Sequence, residues 1–402
     1  MPTFLHAHAT HPDWRLALSL AAAQIEPALR TPGAPVPTLG WLYLTDALAP
    51  HATPLLAELA RRWPGVAWVG AVGVGIAADG VEYFGEPALA LMLASLPREH
   101  FRVFSGRQPL GDFAAATAQV HADPSSAELP ALTDEMSART ATGYLFGGLA
   151  SARSGAHALH LADGVFRGGL SGVAFTADVS LVSRVTQGCQ PLAPARRITQ
   201  CERNLVLQLD GEPALDVLVR DLALEGASPR GVMQRLREAL VGLSDERDAA
   251  EARAGAFGID TRVRHLVGLD PARRGVAIGE TVGNGMRLAF CHRDTAAARR
   301  DLVRICAEIR EEMEPEALPL APELQGDVLA LPQSARRRIA GAVYVSCSGR
   351  GGPHFGGPSA EMAIVRHALG EVPLVGFFAA GEIARRHLYG YTGVLTVFAE
   401  PE

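Results

Sequence analysis

The sequence predicts a mixed α/β (α+β) protein in two lobes. Repeated strand–helix–strand–strand units form mixed or antiparallel sheets covered by helices. Three observations point there. The chain has 402 residues, too many for one hydrophobic core, so two domains are expected, residues 1–200 and 201–402. Its composition, 48% hydrophobic and 20% charged, is that of a globular chain and excludes an intrinsically disordered one. Short apolar runs with glycine-bearing connections recur in the same order along the chain.

The elements follow in chain order. A short N-terminal strand leads to Asp13, placed to N-cap a helix in which Leu16, Leu20 and Ala23 recur at helical spacing. Residues 31–38 (TPGAPVPT) form a loop, and Leu39–Leu44 reads as a buried strand. The first unit is GWLYLTD from Gly40, a helix around Thr53–Trp63, GVAWVGAVGVGI from Gly65 and FGEPALALMLASL from Phe84. The last unit is GAVYVSCS from Gly341, a helix around Ser359–Leu369, VPLVGFFAAGEI from Val372 and LYGYTGVLTVF from Leu388. A weaker middle copy runs from a helix near Leu132–Arg139 through TGYLFGGLASA to FRGGLSGVAFTADV. Each unit ends in two strands joined through glycine, a hairpin-like pair with a helix on one face, hence a mixed rather than purely parallel sheet.

In the second half, NLVLQL and a DG turn precede a helix starting at Glu212 and Pro213, since proline suits a first helical turn. A charged helix (Gly231–Ala254), the strand pair RHLVGL and GVAIGETV, and the strand MRLAFCHRD follow. The helix Thr295–Met313 then carries Leu302, Ile305, Cys306, Ile309 and Met313 on one face. Glu314–Gln333, with four prolines, reads as a loop or insertion, and Arg336–Arg338 as a solvated helix start.

Several function classes are excluded. The formal net charge of −6 gives no basic face for nucleic acid. The N-terminus has no signal-peptide pattern, and no apolar run approaches a membrane span, so no membrane partner is expected. The five cysteines are odd in number and none forms a CxxC pair, which argues against a disulfide framework or zinc ribbon and for a cytoplasmic protein. His6, His8 and His11 lack the Cys or acidic company a zinc site needs, so no metal is expected. GAVGVGI does not have the spacing of a dinucleotide fingerprint.

VYVSCSGRGG (Val343–Gly352), PLVGFFAAGEI (Pro373–Ile383) and the closing YGYTGVLTVF resemble signatures of the FIST family. LVGLDPARRGVAIGETVGNGMRLAFCHRD, LDGEPAL and TQGCQPL fit the same family order, covering its N-terminal and C-terminal parts. The resemblance implies a sensory module that binds a small ligand, an amino acid or a derivative, and signals through a separately encoded protein partner. It also implies two alternatives: a haem-based gas sensor, and a protein-interaction scaffold without ligand. Two departures stand at an expected pocket wall. ARRH (Ala384–His387) replaces the family's usual glycine- and proline-containing loop, and Ala71 and Val72 replace a small Cys/Ser pair.

The candidate ligand-binding residues are Cys347, Ser348, Gly349, Arg350, Gly351 and Glu382. Glycines 349, 351 and 352 allow backbone N–H groups to turn inward into an anion nest, and the Arg350 fork suits a carboxylate or phosphate. Glu382 would hold an ammonium group, so the pair fits a zwitterion. The structural alternative is a tight turn, with Arg350 in a salt bridge and Glu382 bonded to loop amides or to Arg385 or Arg386. Cys347 reads either as a stabilised, redox-sensitive thiol or as a small buried hydrophobe. No paired His and orienting acid accompany it, so no catalytic set is expected. His354, His387, His157 and His160 are the candidate axial ligands should haem bind. Without a CxxCH motif that haem would be non-covalent, and no other cofactor is expected. Phe377, Phe378, Tyr391, Thr392 and Cys306 read as core.

Overall fold

The computed structural model describes residues 3–245, 261–314 and 336–401. The expected loop Glu314–Gln333, apart from Glu314, and residues 246–254 of the expected helix Gly231–Ala254 lie outside the described residues. The chain forms two compact units, each discontinuous in sequence. Met1–Val185, Leu302–Arg386 and Gly393–Glu402 make the first, and Thr186–Asp301 with His387–Thr392 the second.

In chain order the elements begin with β1 (Phe4–Thr10), α1 (Trp14–Leu29), β2 (Leu39–Thr45), α2 (Ala52–Arg62), β3 (Ala67–Gly73), β4 (Gly75–Ala78), β5 (Val81–Phe84) and β6 (Ala88–Ala94). Then come β7 (Phe101–Phe104), β8 (Thr117–Ala122), α3 (Leu129–Ala138), β9 (Tyr144–Leu149), β10 (His160–Ala162), β11 (Val165–Phe166), β12 (Leu170–Phe175) and β13 (Leu181–Gln187). The middle of the chain holds β14 (Cys189–Pro191), β15 (Arg196–Glu202), β16 (Leu205–Leu209), β17 (Glu212–Pro213), α4 (Ala214–Asp221), α5 (Pro229–Glu238), β18 (Leu240–Ser244), β19 (Arg262–Asp270), β20 (Gly275–Ile278), β21 (Arg287–Arg293) and α6 (Thr295–Met313). Last are β22 (Arg337–Cys347), α7 (Ala360–Leu369), β23 (Leu374–Ala379), β24 (Glu382–Arg385), β25 (His387–Tyr389) and β26 (Thr392–Pro401).

The first unit holds three mixed sheets with one wiring. Their orders within the unit are β1-β6-β2-β3-β10-β11, β7-β12-β8-β9-β24 and β13-β26-β22-β23-β4-β5. Each centres on a parallel pair joined through a helix: β2 with β3, β8 with β9, β22 with β23. An antiparallel strand, β6, β12 or β26, closes each on its other side. The mixed α/β class read from sequence is the one observed.

The expected hairpin at the end of each unit is corrected. The last long strands flank the first strand instead of pairing, and the short strands between them are exchanged among sheets. β4 pairs with β23, β10 with β3 and β24 with β9. At the first exchange a Cβ on Gly73 would stand 2.3 Å from the Gly75 carbonyl oxygen, so the close turn into β4 requires glycine. Gly70, Gly147 and Gly376 occupy the same place in the three parallel pairs. A Cβ there would meet a partner-strand carbonyl at 1.8, 1.9 and 1.8 Å, so no other residue fits.

Asp13 caps α1 as expected, its carboxylate accepting from the Arg15 N–H at 2.8 Å. The apolar stripe is corrected: Leu16 and Leu20 are each 51% exposed, and Trp14, Ala17, Leu18, Ala21, Ala22 and Ile25 face the core. Small alanines let the helix lie close to its sheet, and that contact outweighs the pull of two leucines. β2 is buried throughout, as its apolar run indicated.

The second unit is built on a closed antiparallel barrel, β21-β15-β16-β20-β19-β18, with β18 returning to β21. Closure leaves no free edge among these six strands. Val206, Leu209, Val241, Leu243, Val276 and Phe290 fill it, with Val217 and Leu218 of α4 against them. Two boundaries are corrected here. α4 starts at Ala214, because Glu212 and Pro213 extend the ladder beside β16 as β17. α5 stops at Glu238, because Val241 and Leu243 alternate into the barrel as part of β18. A third falls in the first unit: Arg337 and Arg338 open β22, not a helix. The apolar face of α6 is buried at all five expected positions.

Candidate functional site

The signature loop leaves the end of β22 and runs to the N-terminus of α7. Alternation along β22 turns Tyr344 and Ser346 toward that helix. There the Tyr344 hydroxyl donates to Glu361 Oε1 at 2.7 Å, and Ser346 Oγ reaches both carboxylate oxygens at 3.1 and 3.0 Å. Arg350 Nε donates to Glu361 Oε1 at 3.0 Å, and the guanidinium lies 5.2 Å from the Phe355 ring centroid. Arg350 is 1% exposed and Glu361 0%, so this is a fully desolvated ion pair. Burial opposes the Arg350 charge, but the Glu361 carboxylate outweighs it and holds the guanidinium above its usual range. Burial, then the same carboxylate, raises Tyr344.

Of the glycines expected to form an anion nest, Gly352 turns its N–H to a carboxylate of the protein itself, which also accepts from the first amides of α7. Glu82, on the exchanged β5, accepts from the Gly352 N–H at 2.7 Å, the Glu361 N–H at 2.9 Å and the Met362 N–H at 3.1 Å. In return the Glu82 N–H donates to Ser359 Oγ at 3.0 Å. The carboxylate thus sits where the first amides of α7 lack intrahelical partners. Burial, and the nearby Glu361 charge, push Glu82 above the usual carboxylate range against the pull of those amides. A Cβ on Gly351 would stand 2.2 Å from the Phe84 ring, so the loop lies tight against the same hairpin.

Of the candidate residues, Cys347 is half-buried, Ser348 and Gly349 are exposed, and Arg350 and Gly351 are buried. Ser348 is tied by its N–H to the Ala379 carbonyl at 2.8 Å, and the Arg350 N–H closes a turn on the Cys347 carbonyl at 2.8 Å. Glu382 is fully buried. It stands opposite Gly148 in the β9–β24 ladder, and Gly148 faces Val345, on the side of β22 turned away from Tyr344, Ser346 and α7.

Both ring nitrogens of His160 have protein neighbours, Nδ1 lying 2.6 Å from Ser171 Oγ and Nε2 3.1 Å from the Gly168 carbonyl. His157 closes a short 3-10 turn, His354 lies against Phe355 and His387 against Tyr389. Among the described residues no three His, Cys, Asp or Glu side chains are grouped to hold a metal ion. His8 Nδ1 instead meets the Tyr83 hydroxyl at 2.5 Å, and His11 Nδ1 accepts from the Asp13 N–H at 2.9 Å.

Sequence reasoning missed Glu82, Glu361 and a buried chain through Trp41, Gln119, Tyr43 and His121. Glu361 stood in view, in the first turn after the signature loop. Glu82 had no local signal, because it reaches the site across 270 positions of sequence.

Comparison with known proteins gives the site its setting. Residues 38–212 match the FIST N domain and residues 214–385 the FIST C domain. Both are domains of the sensory and signalling class. The chain belongs to the FIST family. An uncharacterized protein of Mycobacterium tuberculosis (strain ATCC 25618 / H37Rv) is 29% identical over 422 residues, covering 98% of both chains. An uncharacterized protein of Mycobacterium bovis (strain ATCC BAA-935 / AF2122/97) is 28% identical over 419 residues, covering 97% of both.

Proposed function

We propose that this protein is a sensory module that binds a small ligand, an amino acid or a derivative, and reports occupancy to a separately encoded signalling partner. The observation that carries the reading is the Glu82 clamp. The family's most diagnostic loop is held by a carboxylate from the N-terminal family part, so a shift in either part is felt in the other. A buried carboxylate opposed by burial and favoured by three amides is finely balanced, and a modest difference in ligand affinity between two arrangements can move such a balance. In this reading Cys347–Gly351 is the responding element, and its charge is already answered by Glu361. The cytoplasm is the proposed compartment. The free thiols of Cys189 and Cys291, neighbours in one buried cluster, suit a reducing one.

The test is thermal unfolding against a panel of amino acids, keto acids and nucleotides, after a visible spectrum of the purified protein. A true ligand at a hundred times its Kd stabilises by about 2.7 kcal/mol. That moves the midpoint by about 5 °C or more for a unit of this size. A colourless protein whose midpoint no panel member moves at millimolar concentration is not this sensor, and the interaction-scaffold reading replaces it. A Soret band in the fresh protein replaces it with the haem reading.

A further inference from the structure

A cleft of about 430 Å³ opens in the first unit beside α3, apart from the signature loop. Its walls are the loop after β7, one face of α3 and the turn from β11 into β12. The last wall is rigidly built. The Phe166 ring stacks on the His160 ring at 5.8 Å and 22°. The two ring nitrogens of His160 are held by Ser171 and by the Gly168 carbonyl, and the Gly168 N–H donates to Asp123 at 2.8 Å. Burial keeps His160 neutral, so the floor carries no charge of its own. Leu132 and Met136 of α3 supply the other apolar surface.

Three arginines, Arg107, Arg139 and Arg167, line the cleft. Arg107 lies over Phe166 at 5.5 Å. Arg139 donates to the Gly111 carbonyl at 2.6 Å and Arg167 to the Ala156 carbonyl. One nitrogen of each of the latter two is thereby anchored, which positions the guanidinium and leaves the rest of its donor fork for another acceptor. Among the described residues no carboxylate comes within ion-pair distance of these three, although Glu128 and Glu135 line the same cleft. An apolar slot with an aromatic wall and oriented guanidinium groups at its mouth is the arrangement that recognises a planar body ending in a carboxylate.

We propose that this cleft binds a small aromatic carboxylate, its ring between Phe166 and the Leu132–Met136 face and its anionic group on Arg139 and Arg167. The proposal rests on the sensory reading and names its ligand class and seat. The experiment is isothermal titration of the full chain with phenylacetate, with 2-phenylethylamine (the same ring, opposite charge) and with acetate (the charge without the ring). The same titrations are run on Arg139→Glu, Arg167→Glu and the cleft-filling Leu132→Trp, each first checked for an unchanged circular dichroism spectrum. Phenylacetate should bind the wild type, and each variant should lose about tenfold or more in affinity. The two control probes should not bind. Equal binding of 2-phenylethylamine or of acetate, phenylacetate affinity unchanged in all three variants, or no binding at millimolar concentration would each overturn it. A panel ligand that stabilises the wild type and the three variants alike removes this seat and leaves the sensory reading standing, whereas an empty panel together with no phenylacetate binding removes both.

Discussion

Acidification should unfold the first unit through His121. Its ring is fully buried and closes a chain of hydrogen bonds. Trp41 Nε1 donates to Gln119 Oε1 at 2.7 Å, and Gln119 Nε2 donates to the Tyr43 hydroxyl at 2.9 Å. That hydroxyl then faces His121 Nε2 at 3.1 Å. The indole can only donate, which orients the Gln119 amide, and Gln119 Nε2 also lies 3.4 Å from His121 Nε2, so an accepting Nε2 suits both of its neighbours. A proton on Nε2 would oppose that arrangement. Burial first, and then the charge of His160, lower His121 from 6.5 to about 3. The unfolded chain takes up this proton below its ordinary value, while the folded chain refuses it until about 3. Stability from this group is thus complete above pH 6.5 and falls as the pH falls through the window. At about 1.4 kcal/mol per unit the whole window is worth about 5 kcal/mol, and about 3 kcal/mol has gone by pH 4. The assay is urea unfolding at pH 7 and pH 4, followed by tryptophan fluorescence, since all four tryptophans lie in the first unit. His121→Gln keeps an acceptor and cannot titrate, so it should lose about 3 kcal/mol less than wild type between the two pH values. Other titrating groups cancel in that difference. Equal losses in the two proteins would refute the assignment.

Two further outcomes follow from the same geometry. Glu82→Ala leaves the amides of Gly352, Glu361 and Met362 without their buried acceptor, which costs about 1 kcal/mol or more for each. Hydrogen exchange of the α7 amides should rise while barrel amides of the second unit stay protected, and unchanged α7 exchange would show that the clamp does not hold the helix. Among the thiols, burial pushes Cys306 up to about 12, and the hydrogen bond with Cys189, then burial, raises Cys291. Iodoacetamide at pH 8 should modify neither until the chain is unfolded, and a mass increase at either peptide in the native protein would contradict their placement.

What was legible in the sequence was whatever depends on near neighbours. The buried run of β2, the cap at Asp13 and the apolar face of α6 are local patterns, and each stands as read. The face of α1 misled because leucine outweighs alanine in any hydrophobic periodicity, whereas close helix–sheet contact favours the smaller side chain. The paired ends of the units misled for a topological reason. A strand, a glycine turn and another strand look alike whether the second strand returns to its own sheet or crosses to the next. The site shows the same division. A glycine nest and an arginine were visible at 349–352, and the arginine's salt bridge was one of the two readings open. The carboxylate that accepts from Gly352 and from the first amides of α7 arrives on an exchanged hairpin, and no local pattern announces it.

The exchanged strands also bear on what the two family parts are. β4 belongs to the part matched over 38–212 yet completes the sheet of β22 and β23, in the part matched over 214–385. β24 belongs to the second part and completes the sheet of β8 and β9 in the first. Both exchanges lie inside one compact unit, so the boundary seen in sequence similarity is not a boundary in contacts. The C-terminal part by itself lacks the strand that covers the edge of β23 and the carboxylate that caps α7. Its signature loop would then carry three amides with nothing buried to accept from them. Hydrogen bonding thus requires the two parts to be held together, and the loop that most clearly marks the family is where they meet.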